Sequence, residues 1–87
     1  MAGYKLLIKT SAAKEIDGTG SKADRQKIVS KILTLAANGR PAGSEKLAGH
    51  DNRYRLRQGN YRIIYLINDD THEITIFKIG HRKDVYR

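Results

Sequence analysis

Cysteine and tryptophan are absent from the 87 residues, and proline, phenylalanine and methionine occur once each. The lack of cysteine excludes disulfides, thiolate metal sites and a cysteine nucleophile. Long apolar runs are missing too. Leu6-Leu7-Ile8 and Ile63 to Ile67 are the longest, far short of the ~18 residues that a membrane span needs. No apolar signal-peptide core follows the N-terminus, so a cytoplasmic protein is expected. No repeat, low-complexity segment or linker divides the chain. One domain over residues 1–87 is the expectation, long enough to fold around a modest core.

Acidic residues are also few: 9 Asp and Glu stand against 17 Lys and Arg, a formal charge of +8. The excess is localised. Residues 46–62 and 78–87 hold nine basic residues (Lys46, Arg53, Arg55, Arg57, Arg62, Lys78, Arg82, Lys83, Arg87) and two acids (Asp51, Asp84), a net of +7. The other 60 residues hold eight basic and seven acidic, a net of +1. Positive charge gathered into two short segments suggests a patch for a polyanion.

The apolar periodicity supplies the elements. Tyr4 to Lys9 reads as a strand, and Ser11 to Ile16 as at most a short helix ended by Gly18-Thr19-Gly20. The clearest helix spans 22–38. Ser21 is a good N-cap with Asp24 three residues on, and Ile28, Ile32 and Leu35 with Val29, Leu33 and Ala36 form an apolar stripe. Gly39 suits a left-handed C-terminal cap, and Pro41 prevents continuation. Residues 40–52 read as a loop holding Lys46 and His50. Three strand-like runs follow: Arg53 to Arg57, Tyr61 to Ile67 and Glu73 to Ile79, with a turn at Asn68-Asp69-Asp70-Thr71. The order implies an α+β fold: an N-terminal strand, one or two helices, then a three-strand antiparallel meander with the helices on one face.

The stretch RYRLRQGNYRIIY, residues 53–65, carries the densest information. A two-residue loop at Gly59-Asn60 pairs Gln58 with Tyr61, Arg57 with Arg62, Leu56 with Ile63, Arg55 with Ile64 and Tyr54 with Tyr65. Period two then sends Tyr54, Leu56, Ile63 and Tyr65 to the helix side and Arg55, Arg57 and Arg62 to the other. Like charges directly opposite cost a few tenths to about 1 kcal/mol. A phosphate would reverse that sign, because guanidinium forks match its oxygens. A second hairpin about Asp69-Asp70 is expected to pair Ile67 with His72, Tyr65 with Ile74, Ile63 with Ile76 and Arg62 with Phe77. Strict alternation puts Phe77, Ile79 and His81 on the arginine face; a bulge at Gly80 would turn Arg82 inward instead.

YRLRQGNYRIIYLI followed by IFKIGHRKDVYR resembles the RelE family of bacterial type II toxin–antitoxin toxins. The order of elements agrees over nearly the whole chain. The most specific part is the strand YRIIY, residues 61–65, joined to the terminal GHRKDVYR, residues 80–87. The resemblance implies a RelE-like fold and a ribosome-dependent mRNA endoribonuclease acting in the ribosomal A site. It implies mRNA, ribosomal RNA and a cognate antitoxin as partners. Arg55 and Arg57 match the family's basic pair on its second strand, Arg62 the arginine after the next strand's tyrosine, Arg82 the arginine after the Gly-x step, and Tyr86 the tyrosine near the end. His81 stands where other members carry lysine or histidine.

Cleavage of this kind needs a 2′-hydroxyl deprotonated, in-line attack on the adjacent phosphate and protonation of the leaving 5′-oxygen. His50, His72 and His81 are scattered, so neither a metal nor another cofactor is expected, and charge stabilisation falls to arginine. Arg62 is assigned to the scissile phosphate with Arg82 in support, and Arg55 and Arg57 to the flanking backbone. Tyr86 orients the 2′-hydroxyl, acts as base or stacks on a nucleobase; His81 is the residue whose ordinary pKa suits proton transfer near neutrality. Lys46, Arg53, Lys78, Lys83 and Arg87 are candidate RNA or ribosome contacts through phosphates. The alternatives are a ParE-like gyrase-inhibiting toxin and a non-catalytic RNA- or ribosome-binding module.

Overall fold

The structure is a computed structural model that describes residues 3–49 and 52–81. Strand β1 (Lys5–Ile8) leads into α1 (Thr10–Asp17) and α2 (Lys22–Thr34). A two-residue strand β2 (Glu45–Lys46) precedes the meander β3 (Arg53–Gln58), β4 (Tyr61–Asn68) and β5 (Glu73–His81). The sheet has five strands in the order β1-β5-β4-β3-β2, with β1 parallel to β5 and all other pairs antiparallel. The expected three-strand meander is therefore the centre of a wider sheet. A parallel partner separated by two helices leaves no local mark in the sequence, which is why β1 read as a lone strand.

Helix α2 begins and ends for local reasons. Ser21 accepts a hydrogen bond from the Asp24 N–H (3.3 Å) and starts α2 as its sequence suggests. The helix stops at Thr34, short of 38, because residues 35–37 tighten into i→i−3 bonds from Leu35, Ala36 and Ala37 N–H to Ile32, Leu33 and Thr34 carbonyls. The stripe is also narrower than expected: Ile28, Ile32 and Leu35 are buried, whereas Val29 (42% exposed) and Leu33 (61%) face outward. From α1, Ala12 and Ile16 join them over Leu56, Ile63, Tyr65, Ile67, Ile74, Ile76 and Ile79 of the sheet. Each large aliphatic side chain buried this way contributes roughly 1.5–3 kcal/mol.

Gly39 has a different task from the left-handed cap expected of it. Positive φ among the glycines is found at Gly43, Gly49 and Gly59. A Cβ at Gly39 would meet Ile74 Cδ1 at 3.1 Å, Ile67 Cδ1 at 3.2 Å and Tyr4 Cε2 at 3.3 Å, and the Tyr65 hydroxyl donates to the Gly39 carbonyl at 2.9 Å. Glycine is needed there because the backbone passes directly over the core.

The first hairpin has the register read from the sequence: Gln58 opposite Tyr61, Arg57 opposite Arg62, Leu56 opposite Ile63, Arg55 opposite Ile64 and Tyr54 opposite Tyr65. Gly59 has φ 60° and Asn60 is not left-handed, the pattern of a type II′ turn. The second hairpin departs from expectation. Asn68 Oδ1 accepts from the Asp70 and Thr71 N–H groups, and His72 takes φ 55°, so the loop holds residues 69–72. Ile67 therefore pairs with Ile74, not His72, and Tyr65 with Ile76. Beyond that point Ile64 pairs with Lys78, Ile63 with Ile79 and Arg62 with Gly80. Phe77 is thus the extra residue of a β-bulge, three positions before the glycine where one was considered.

An exposed polar clamp ties the loop after α2 to the β4–β5 turn. Arg40 reaches Asp69 Oδ2 at 2.9 Å and donates from Nε to the Tyr54 hydroxyl at 3.0 Å, and the Tyr4 hydroxyl donates to Asp69 Oδ1 at 2.8 Å. The Arg40 and Tyr4 bonds hold the Asp69 carboxyl below its ordinary pKa. A carboxylate whose folded pKa is depressed stabilises above the unfolded value and loses that contribution as pH falls through the folded one. The stability difference between wild type and Asp69→Asn should therefore be fully present near neutrality and decline as pH falls below about 4 in urea titrations. Glycine substitutions give a second check. Gly39→Ala is expected to lower stability by ~1–3 kcal/mol through overpacking. Gly20→Ala, with nothing within 4 Å of the new methyl, should be neutral or slightly stabilising in the same melts.

Candidate nucleic-acid interface

With the helices on one face, the opposite face of the sheet carries a row of basic side chains. Arg53, Arg55 and Arg57 occupy alternate positions of β3, and Arg62 lies opposite Arg57 on β4. The row expected from the sequence is therefore real, with gradations along it. Arg57 is exposed, Arg53 and Arg55 are half-buried, and Arg62 is only 3% exposed, opposite a buried Gly80. Glu45 of β2 pairs in register with Arg55 and its Oε1 lies 3.0 Å from the guanidinium. The Nε–H groups of Arg53 and Arg55 are buried with no hydrogen-bond partner.

Phe77 lies on this face, as alternation after Ile76 requires. The Cζ of Arg53 lies 4.6 Å from its ring centroid, and the Nζ of Lys9, just beyond β1, lies 4.3 Å from it. Lys9 carried no signal in the sequence beyond ending the first strand. The Lys9 N–H donates to the Ile76 carbonyl at 3.0 Å, which fixes where its side chain departs.

The bulge takes effect at His81. Expected on the arginine face under strict alternation, it pairs instead with Tyr61, and the two rings meet edge to face with centroids 5.1 Å apart. Ile79 likewise moves to the helix side and is buried. His81 and Tyr61 line a shallow cavity of about 280 Å³ with Glu15, Gly18, Thr19 and Ile79. His81 is thus separated by the sheet from the guanidinium row. Lys46 pairs with Tyr54, on the helix-side register, and so does not join the row either. Lys78 is engaged by Glu15 at 3.1 Å. Arg82, Lys83, Tyr86, Arg87 and His50 lie outside the described residues.

Glu15 explains how α1 is fixed beside this region. Past Ile76, β5 runs beyond the end of β1, leaving edge N–H groups open. Glu15 Oε1 accepts the Ile79 N–H at 2.9 Å while Oε2 holds Lys78. No group of three or more His, Asp or Glu suited to a metal occurs among the described residues, and no helix there is long and apolar enough to cross a membrane.

Fold and site together define a small α+β domain with helices on one side of an antiparallel-centred sheet and a guanidinium row on the other. Comparison with known proteins gives the family. Residues 6–86 match the ParE toxin of type II toxin–antitoxin system, parDE. Toxin RelE3 of Methanocaldococcus jannaschii is 45% identical over 42 residues (48% of this chain, 46% of its own), and Toxin RelG of Mycobacterium tuberculosis is 39% identical over 49 (56% and 52%). The chain thus aligns to about half the length of these curated relatives. Among solved structures, the RelE–RelB complex of Pyrococcus horikoshii OT3 has a chain with a TM-score of 0.82 at 28% identity, covering 94% of this chain and 97% of that one. A mutant E. coli toxin RelE in the free state gives 0.76 at 26%, covering 99% and 92%. The chain belongs to the ParE/RelE family of type II toxin–antitoxin toxins.

The edge contact generates a prediction. Glu15→Ala should accelerate hydrogen exchange at the Ile79 amide and lower stability by about 1–3 kcal/mol, because the bond to a charged acceptor is lost and the strand edge is left unmet. Amide exchange followed by NMR, with a urea melt, reads both.

Proposed function

We infer that this protein is a ribosome-dependent mRNA endoribonuclease, the toxin of a type II module, cleaving the message in the ribosomal A site. The observation that carries the reading is the β3–β4 register, which sets Arg55, Arg57 and Arg62 on one side of the sheet in line with Arg53. Folding gains nothing from opposing Arg57 and Arg62. A phosphodiester gains twice, from charge and from guanidinium geometry.

In the proposed reaction the 2′-oxygen attacks the neighbouring phosphorus and the bond to the 5′-oxygen breaks. The products are a 2′,3′-cyclic phosphate and a 5′-hydroxyl. The 2′-hydroxyl proton leaves to a base, and the 5′-oxygen gains one. Arg62 and Arg57 stabilise the charge accumulating on the phosphoryl oxygens, with Arg82 in support; Arg55 holds the adjoining backbone. Arg62 is buried, so its service requires that the hairpin end of the face open to the substrate. That burial also makes its field stronger, since a low-dielectric setting screens it less. With His81 on the other side of the sheet, Tyr86 is the better candidate for handling the 2′-hydroxyl. Lys46, Arg53, Lys83 and Arg87 are proposed to meet ribosomal or message phosphates without reading sequence.

An antitoxin is the proposed protein partner. Several of the similar structures are RelE–RelB complexes, from P. horikoshii, M. jannaschii and E. coli. One second reading has an observation behind it: the match over residues 6–86 is to ParE, which favours gyrase inhibition. Supercoiling by gyrase in the presence of purified toxin separates the two.

Arg62→Ala and Arg57→Ala should each slow cleavage of A-site mRNA on programmed ribosomes by ~10²-fold or more, by analogy with losing one transition-state donor. Circular dichroism verifies that each variant is folded. Near-normal cleavage by both folded variants would overturn the assignment.

A further inference from the structure

The crowding of two cations onto one aromatic ring is not explained by the cleavage site. Lys9 Nζ and Arg53 Cζ lie 4.3 and 4.6 Å from the centroid of Phe77. They arrive from opposite flanks of the sheet, one from the end of β1 and one from β3 across β4. Among the described residues neither is paired with a carboxylate. Arg53 has no hydrogen-bonded acceptor there either, and its Nε–H is buried without a partner. Attraction to the ring holds each cation in place, while the two repel each other.

Phe77 keeps the guanidinium side that alternation after Ile76 gives it, and the longer β4–β5 turn places it away from Arg62 and the hairpin end. Along β3, Arg57, Arg55 and Arg53 step at roughly 6–7 Å intervals, since alternate residues of a strand rise twice ~3.3 Å. That step is comparable to the spacing of phosphates in an extended single strand. Phe77 and Lys9 lie across the sheet from that row, toward β1, at a level between Arg53 and Arg55.

We propose that Lys9 and Arg53, spread over the ring of Phe77, form a subsite for a backbone phosphate of single-stranded RNA, several nucleotides from the bond that is broken. The inference rests on the reading that the guanidinium face takes RNA. It adds to that reading a track running from the β3–β4 hairpin to the end of β1, with Lys9 as a contact and Phe77 as a positioning residue. An anion lying between the two cations removes their repulsion and supplies Arg53 with the acceptor it lacks. The subsite reads no base, because everything it offers is charge.

The test is a salt titration of binding, independent of cleavage. The probe is a fluorescent single-stranded 2′-O-methyl RNA, which cannot undergo 2′-hydroxyl attack. Anisotropy gives log K against log salt for the full-length wild type, Lys9→Gln, Arg53→Gln, Phe77→Leu and Arg57→Gln. Each cation of the subsite should contribute a slope of about 0.7, the value for one single-strand phosphate contact. Lys9→Gln and Arg53→Gln are therefore expected to weaken binding several-fold and flatten the slope by that amount. Phe77→Leu, keeping both charges but freeing them, should weaken binding with little change of slope, and Phe77→Trp should restore it. Slopes unchanged in Lys9→Gln and Arg53→Gln but flattened in Arg57→Gln would overturn the subsite and leave the guanidinium row standing. No binding by the wild type would defeat both. Lys9 is exposed, so its variant is expected to fold, and amide spectra confirm this.

Discussion

The pairing of β4 with β5 governs the molecule more than any other contact. β4 lies at the centre of the sheet and contributes Ile63, Tyr65 and Ile67 to the core. The four-residue turn and the bulge at Phe77 decide which residues of β5 face them. Because strand side chains alternate strictly, one extra residue reverses the parity of everything after it. Ile79 is thereby delivered to the core, Gly80 is set opposite Arg62, and His81 is turned to Tyr61. The composition of the basic face is therefore settled by backbone pairing, not by the charges displayed there.

The resulting division of labour is physical. One side of the sheet earns stability by burying aliphatic area under two helices. The other side holds a row of like charges, in which Glu45 meets Arg55 and the Phe77 ring receives Arg53 and Lys9. Such a face is cheap to keep when the opposite face is well packed, and it presents a potential that a polyanion neutralises. The polar clamp of Arg40, Asp69, Tyr4 and Tyr54 stands at the edge of the core, well away from the hairpin end of the row, and its role is architectural.

Legibility in the sequence followed the range of the interaction. The Gly59-Asn60 hairpin was readable residue for residue because a two-residue loop leaves one register, and with it came the guanidinium row. The second hairpin was misread because Asn68 bonds two backbone amides ahead of it and lengthens the loop, a contest between side chain and ladder that periodicity does not register. The bulge compounded the error and carried His81 to the wrong face. Val29 and Leu33 have the same periodic standing as Ile28 and Ile32, yet one helix can press only a narrow stripe onto a flat sheet. Gly39 looked like a cap because it follows a helix; its cause lies in Ile67 and Ile74, far along the chain. Lys9 and Glu15 owe their positions to the parallel β1–β5 join, which no short window contains.

That join has a kinetic side. Lys5 to Ile8 find their hydrogen-bonding neighbours in residues 72–76, far along the chain. During synthesis the first strand and both helices therefore emerge with nothing to lie against, and the loop that must close spans most of the chain. Assembly waits for the last strand to leave the exit tunnel. The Lys9–Phe77 end of the cationic face is therefore complete only once the last strand has paired with the first, the contact most distant in sequence.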